Sequence, residues 1–242
     1  MTTPTCRACQ GSGLRQSEFP IGPCPTCHGT GTHRWVSAFI QARSGSHRYP
    51  GKIYVQLAGV PVLRRVYEAT RLIPGVDTVV VIAPDGDRLT GLGVPVWAEW
   101  PGVGEDDVLA RYQQAAQLDE SDLILRVTGD SPCLDPALCT RVLTRLQAEP
   151  TVSYVHTDAP SGLGCEGFTR LALEEAGRDA MCRFDREHVT SWMRLTLPPH
   201  AQAAVGLDQP WRGPAKMSLD TPEEWHRLEA FLRPRTEAAA VH

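Results

Sequence analysis

Between residues 35 and 156 the chain alternates short apolar runs with stretches of helical spacing, and this alternation restricts the possible folds more than any other feature. Residues 35–41 (WVSAFIQ), 78–83 (TVVVIA) and 122–127 (DLILRV) are nearly continuous in apolar side chains. That is the pattern of a strand covered on both faces. Residues 62–72 and 105–118 carry apolar side chains at helical intervals, and the second segment has acids in its first turn, where they suit the helix dipole. A helix over 136–146 opens on Asp135 as N-cap with Pro136 at its first position. Shorter strands are expected at 93–97, 151–156 and 217–219, and further helices at 184–195 and at 221–232, the last capped by Thr221. Strands alternating with helices make βαβ units with right-handed crossovers. The expectation is an α/β fold: a mainly parallel, twisted, Rossmann-like sheet flanked by helices. In such sheets ligands sit beyond the carboxyl ends of the strands, here just after Gln41, Val127 and Leu219.

Bulk properties exclude several classes. The chain has 242 residues, 42% hydrophobic and 21% charged, with a net charge of -4. A packed core is expected, and no global positive field draws the chain to nucleic acid or an anionic membrane. No apolar run has the length of a membrane span, and residues 1–10 carry no signal-peptide stretch. The expected location is cytoplasmic, where eight cysteines stay reduced and serve as metal ligands or buried hydrophobes. Cys133, Cys139, Cys165 and Cys182 are scattered and read as the latter.

The remaining four form a repeat. Cys6-Arg-Ala-Cys9-Gln-Gly11-Ser-Gly13 is matched by Cys24-Pro-Thr-Cys27-His-Gly29-Thr-Gly31. Each Cys-x-x-Cys turn aims two thiolates at one cation, and two such turns close the tetrahedral sulfur shell that structural zinc prefers. Residues 1–34 lack apolar periodicity, so a staple is what would order them. Three units follow: a zinc-binding knuckle or ribbon over 1–34, an α/β domain over 35–233, and a flexible tail over 234–242. The doubled Cys-x-x-Cys-x-Gly-x-Gly resembles the zinc-binding repeats of DnaJ-type chaperones, with two repeats here, enough for one metal. Arg7, Arg15 and Arg34 against Glu18 leave the segment weakly positive, which leaves a nucleic-acid role unsupported. Structural stapling or protein contact is the expected role.

After the first strand come Arg43, Arg48 and Lys52 among Gly45 and Gly51. Guanidinium forks, an ammonium and approachable backbone N–H groups suit a polyphosphate. On composition alone a solvated basic loop is the commoner reading of such a stretch, and its position at a strand's carboxyl end favours the phosphate. The full stretch Phe39-Ile-Gln-Ala-Arg43-Ser-Gly-Ser46-His-Arg48-Tyr-Pro50-Gly51-Lys52 resembles the opening signature of cytidylyltransferases of CMP-sugar synthesis. It is closest to their spore-coat polysaccharide branch and similar to the CMP-Kdo synthetases. Four later segments continue the likeness in order: Gly104-Glu-Asp-Asp107-Val-Leu-Ala-Arg111-Tyr, Arg126-Val-Thr-Gly129-Asp130-Ser-Pro132-Cys-Leu-Asp135, Arg186-Glu187-His188-Val-Thr190 and Leu219-Asp220-Thr221-Pro222-Glu223-Glu224.

The resemblance implies a nucleotide-diphospho-sugar transferase-like fold and a reaction of CTP with a sugar or sugar acid to give a CMP-sugar and pyrophosphate. It implies catalytic roles for Arg43, Arg48, Lys52 and Asp130. Nucleotide contacts would come from Gln41, Ala42, Arg43, Ser46, Arg48 and Lys52, and from Arg126, Thr128 and Gly129. Asp130 and Asp220 would hold Mg²⁺, and Cys6, Cys9, Cys24 and Cys27 a structural Zn²⁺. Glu166, Arg186 and His188 are the candidates for the acceptor side. A homodimer is also implied. The alternatives are a related transferase with another nucleotide or acceptor, and a non-catalytic nucleotide-binding scaffold carrying an interaction module. Two departures stand out: Gly164 replaces a usual acidic residue, and Ala83-Pro84-Asp85-Gly86 replaces a Thr-Ser-Asp stretch. They bear on acceptor recognition and on the cytosine side.

Overall fold

The computed structural model of the chain describes residues 4–14, 24 and 26–239. Arg15 and Glu18, part of the charge balance above, and tail residues 240–242 lie outside them. The chain order is β1 (Val36–Gln41), β2 (Gln56–Leu57), β3 (Val60–Pro61), α1 (Val62–Thr70), β4 (Thr78–Ile82), β5 (Val96–Trp97), α2 (Val108–Leu118), β6 (Leu123–Thr128) and α3 (Pro136–Ala148). There follow β7 (Tyr154–Asp158), β8 (Glu166–Thr169), α4 (Arg170–Asp179), α5 (Arg183–His188), α6 (Ser191–Thr196), β9 (Gln202–Gly206) and α7 (Pro222–Ala239).

Seven strands form one sheet in the order β5-β4-β1-β6-β8-β7-β9. Strands β5, β4, β1 and β6 are parallel neighbours, and β7 and β9 are also parallel. β8 pairs antiparallel with both β6 and β7 and is the one reversed strand. The sheet is thus mainly parallel and flanked by helices, with β2 and β3 in a small hairpin beside it.

The continuous apolar runs have the expected cause. In β1, Val36, Ala38 and Ile40 face one buried cluster and Phe39 faces another. In β6, Leu123, Leu125 and Val127 join the first cluster and Ile124 the second. A strand that feeds two cores has no polar face. The first core contains residues of α1 and α3, the second residues of α2 and α4. The Tyr112 hydroxyl, deep in the second core, donates to the Phe39 carbonyl at 3.0 Å. The capping expectation also holds: the Asp135 carboxylate accepts the Ala137 N–H at 2.9 Å, with Pro136 at the first helical position.

Four expectations need correction. No strand forms over 217–219; a single bridge pairs the preceding Lys216 with Ser161, and the segment is tied by Met217 N–H to Ser161 O (2.7 Å) and Leu219 N–H to Asp130 O (2.8 Å). The expected helix 184–195 is two helices, broken at Val189, whose φ of 62° and ψ of -57° place it at the centre of a γ-turn closed by Thr190 N–H to His188 O (2.6 Å), a conformation that a β-branched residue takes only under constraint. Val189 is fully buried, and the neighbouring Thr190 hydroxyl is bonded to Glu166. The periodicity ends the last helix at Leu232, yet α7 runs past Pro234 to Ala239, through residues of good helix propensity such as Glu237 and Ala238. Finally, Cys139 and Cys165 are buried as expected, but Cys133 is only half-buried and Cys182 is exposed, where it caps α5. Strands β8 and β9 and helix α4 lie outside the expectation altogether. β8 has a weak strand sequence, and its Gly167 stands where a Cβ would come within 2.8 Å of Val142 Cγ1. Close approach of α3, not local propensity, makes it a strand.

Candidate functional site

The carboxyl ends of β1 and β6 open into a cleft of about 570 Å³. The close fit of the two ends requires Gly129: a Cβ there would lie 2.8 Å from Ala42 Cβ and 3.0 Å from Gln41 O. Gly129 N–H donates to that same carbonyl at 2.8 Å. The basic loop then folds over the strand end. Asp87 accepts from Ser44 N–H (2.8 Å) and Ser44 Oγ (3.0 Å), and Gly51 N–H returns to Ser44 O at 3.0 Å. Gly51, at φ 70°, turns the chain into a single 3₁₀ turn that starts at Lys52.

Lys52 is the centre of the site. Its side chain is nearly buried, and its ammonium donates to Asp130 Oδ2 at 2.5 Å and to Asp220 Oδ1 at 2.9 Å. The two carboxylates, 90 residues apart in sequence, therefore share one cation. Arg48 Nη2 reaches Asp220 Oδ1 at 2.8 Å and Lys216 Nζ reaches Asp220 Oδ2 at 2.6 Å. Asp220 is not the helix cap its Thr-Pro-Glu context suggests. Thr221 stands at the cap position before Pro222, and Glu224 in the first turn accepts N–H bonds from Asp220 (2.5 Å) and Thr221 (3.1 Å), while the Asp220 side chain faces the cleft.

Burial alone would raise the Asp220 pKa, but hydrogen bonds from Lys216 and Lys52 outweigh it and hold the group at about 2, below its ordinary 3.8. A depressed carboxylate contributes stability above its unfolded pKa and loses it as pH falls through the folded value. This contribution is therefore complete above about pH 4 and disappears toward pH 2. Carboxyl carbon chemical shifts of Asp220 are expected to titrate near 2, and in Lys216→Met to move back toward 3.8. A wild-type midpoint close to 3.8 would overturn the ion-pair geometry.

The other expected residues divide into two groups. Gln41, Ala42, Arg43, Ser46 and Arg48 line the cleft, as do Arg126, Thr128 and Gly129, and so does His188 on the opposite wall. Arg43 leans away from Asp130 and Asp220 to Glu105 (3.3 Å) and Asp106 (3.5 Å). Glu166 and Arg186 do not reach the cleft. Arg186 clamps Asp107, the N-cap of α2, through Nε (2.9 Å) and Nη2 (2.7 Å). Glu166 lies beneath the floor, bonded by Arg126 Nη1 (2.6 Å), Thr190 Oγ1 (2.9 Å) and the Tyr154 hydroxyl. Burial opposes both charges of the Arg126–Glu166 pair, yet their attraction prevails, holding Glu166 below and Arg126 above its ordinary range. Arg126 Nε in turn orients the Gln41 side chain at 3.0 Å. Gly164 has no room for an acidic side chain, since its Cβ would come within 2.4 Å of Thr157 Cγ2. In the stretch after β4, Asp85 accepts the Trp100 N–H at 2.7 Å and so anchors the backbone. Lys216 is absent from the sequence expectation, and Glu224 enters it only as the last residue of a family-like segment, with no site role. Their one legible signal is opposite charge spaced four residues to either side of Asp220.

The second site lies at the other end of the sheet. Cys6, Cys9, Cys24 and Cys27 are buried, with ligand atoms within 4.8 Å of one another. Cys6 Sγ is 4.0 Å from Cys24 Sγ and Cys9 Sγ is 3.6 Å from Cys27 Sγ. A Zn–S bond of about 2.3 Å in a tetrahedron separates sulfurs by about 3.8 Å, so the cluster has the size of a zinc shell and is too wide for a disulfide. The two repeats are internally symmetric. Gly13 N–H and Gly31 N–H each donate to the second sulfur of their own unit at 3.3 Å. The units also exchange bonds, Cys6 N–H to Gly31 O (2.8 Å) and Cys24 N–H to Gly13 O (2.7 Å). Sulfur anions this close repel, so a cation among them is what lets all four ionise. Arg7 docks the knuckle on the amino end of the sheet: its guanidinium lies 4.8 Å over the Trp35 ring and donates to the carbonyls of Asp119 and Glu120 at the end of α2.

Sheet and cleft together define a nucleotide-sugar transferase-like α/β domain. Residues 37–94 match the cytidylyltransferase family model. The chain is 32% identical over 169 residues to an 8-amino-3,8-dideoxy-manno-octulosonate cytidylyltransferase of Shewanella baltica, covering 67% of this chain and 66% of that protein. It is 34% identical over 132 residues to a 3-deoxy-manno-octulosonate cytidylyltransferase of Chromohalobacter salexigens, covering 52% and 51%. The aligned part is thus under two thirds of each relative's length. The solved structure of a cytidylyltransferase from Leptospira borgpetersenii superposes with a TM-score of 0.73 at 23% identity, covering 82% of this chain and 86% of the other. That likeness extends the shared fold across the domain.

Proposed function

We propose that this chain is a cytidylyltransferase that joins CTP to a sugar acid, giving a CMP-sugar and pyrophosphate. A hydroxyl oxygen of the acceptor attacks the α-phosphorus of CTP; the bond to the pyrophosphate oxygen breaks in line, and the hydroxyl proton is lost. The single observation that carries this reading is the Lys52 ammonium held between Asp130 and Asp220 at the head of a basic loop. Little covalent work falls to the protein in such a transfer, and positioning and charge neutralisation supply the rate. Lys52 and Arg48 meet the charge that accumulates on the leaving phosphates. Gln41, steadied by Arg126, and the backbone around Gly129 shape the floor against which the nucleotide lies.

Two neighbouring carboxylates beside a phosphate loop are an oxygen donor set that fits Mg²⁺, which takes one or two carboxylates plus phosphate oxygens. Asp130 and Asp220 would hold it, and it would supply charge neutralisation at the triphosphate. The Cys₄ cluster would hold structural Zn²⁺. The same reading includes the spore-coat-like branch, a homodimer, a cytoplasmic location and the division into knuckle (1–34), catalytic domain (35–233) and tail (234–242). The names of the relatives support an eight-carbon sugar acid as acceptor class.

The test is pyrophosphate release with each of the four nucleoside triphosphates, Mg²⁺ and a panel of sugar acids. Turnover is expected with CTP and a 3-deoxy-manno-octulosonate-type acid. Release with a purine nucleotide instead, or with none of the four, would sink the reading.

A further inference from the structure

Among the described residues lining the cleft, the basic side chains are mostly neutralised inside the protein. Lys52 and Arg48 are paired with the aspartates, Arg43 with Glu105 and Asp106, and Arg126 with Glu166. Arg111 is different. It projects from the second turn of α2, lines the same cleft and is only 4% exposed, yet its Nε and Nη1 are buried without a hydrogen-bond partner. A guanidinium carries five donors and cannot shed its charge. Burying donors unpaired is costly, and native proteins do it where a ligand or a function requires it. The nearest charges do not relieve it. Glu105 and Asp107 lie close enough to favour the cation, but Arg43 opposes it, and Glu105 and Asp107 already serve Arg43 and Arg186.

We propose that Arg111 is a substrate-binding residue that receives an oxyanion, a phosphate or a carboxylate, of the ligand in this cleft. This deepens the cytidylyl-transfer reading and rests on it for the choice of ligands. The planar fork suits an oxyanion held in two places at once, and the low solvent access around it strengthens that bond. The α2 N-terminus, where Asp107 accepts the Ala110 N–H at 3.1 Å and is itself clamped by Arg186, keeps the helix that carries Arg111 in place. Arg111 thereby provides an unpaired positive charge on the wall formed by α2, whereas the loop cations are already engaged with the two aspartates.

The experiment compares wild type, Arg111→Met and Arg111→Lys by calorimetric titration and thermal unfolding. The probes are Mg·CTP, inorganic pyrophosphate with Mg²⁺, and 3-deoxy-manno-octulosonate with and without a non-hydrolysable CTP analogue. Binding of at least one probe is expected to weaken in Arg111→Met by roughly tenfold or more, with Arg111→Lys intermediate because it keeps charge without the fork. The probe affected identifies the source: CTP and pyrophosphate for a phosphate partner, the sugar acid for a carboxylate. The melting temperature of free Arg111→Met is expected to equal or exceed that of wild type, since an unpaired buried charge has been removed. Arg111→Lys, which retains polarity on the same helix face, allows the same comparison should the methionine variant fold poorly.

The proposal fails if every probe that binds wild type binds both variants within about threefold, or if no probe binds wild type. It also fails if both variants unfold at lower temperature without ligand and respond to ligand as wild type does. The parent reading fails separately. Loss of pyrophosphate or carboxylate binding on substitution, in a protein that shows no turnover with CTP, leaves Arg111 an anion-binding residue and removes the reaction.

Discussion

Lys52→Met is expected to lower kcat/KM for cytidylyl transfer by about a thousandfold, the scale on which a single preorganised charge donor contributes to a transition state. Among the described residues, the ammonium is the one side-chain group paired with both Asp130 and Asp220. Removing it takes away the counter-charge for the leaving phosphates and leaves two neighbouring carboxylates to repel each other. Arg48 cannot substitute, because it reaches only Asp220 and its side chain is 67% exposed. The loss is expected mainly in kcat, since the cation acts on charge that develops as the bond to pyrophosphate breaks. Far-ultraviolet circular dichroism is expected to stay unchanged, because the surrounding turn is held by Gly51 and Ser44 rather than by the ammonium. Activity within tenfold of wild type would remove Lys52 from the centre of the mechanism.

Withdrawing metal from the Cys₄ cluster is expected to have the largest structural effect. Structural zinc contributes on the order of 10–16 kcal/mol of apparent binding free energy to small sites of this kind. Among the described residues, the knuckle is otherwise held by backbone exchanges between the repeats, by Arg7 on Trp35 and the carbonyls of Asp119 and Glu120, and by His33 against Asp77 at 2.8 Å. A purified preparation is expected to contain one zinc per chain by plasma mass spectrometry. Cys27→Ser or a strong chelator should then abolish amide protection in residues 4–14 and 26–33. CTP binding is expected to survive, because the knuckle docks at the amino ends of the strands and the cleft lies beyond their carboxyl ends. Stoichiometric protein without metal, with residues 26–33 still protected, would overturn the metal reading. Loss of CTP binding together with the metal would show instead that the two ends of the sheet are coupled.

Much of this molecule was legible before any coordinates. Runs such as TVVVIA and DLILRV admit few environments other than a sheet buried on both faces. The paired Cys-x-x-Cys units carry their own symmetry, which the hydrogen bonds of Gly13 and Gly31 repeat bond for bond. The order Arg43, Arg48, Lys52 at a strand end pointed to phosphate. Less legible were elements whose identity depends on neighbours. β8 is a strand because α3 packs on Gly167, α5 and α6 separate because Val189 is forced into a γ-turn of positive φ, and residues 217–219 bind single carbonyls rather than a ladder.

The division at the site has the same physical origin. Residue types and local periodicity are properties of neighbouring positions, so the sequence by itself determined the mainly parallel α/β class, the paired cysteine cluster and the basic character of the loop after β1. Which charges meet depends on segments far apart in the chain. Only the tertiary structure put Lys52 between Asp130 and Asp220, turned Arg43 to Glu105 and Asp106, sank Glu166 beneath Arg126, brought Lys216 to Asp220 and left two guanidinium nitrogens of Arg111 buried without a hydrogen-bond partner. Coulomb and hydrogen-bond energies fall off within a few ångströms, whereas the order of residues along a chain specifies no distances beyond its own turns.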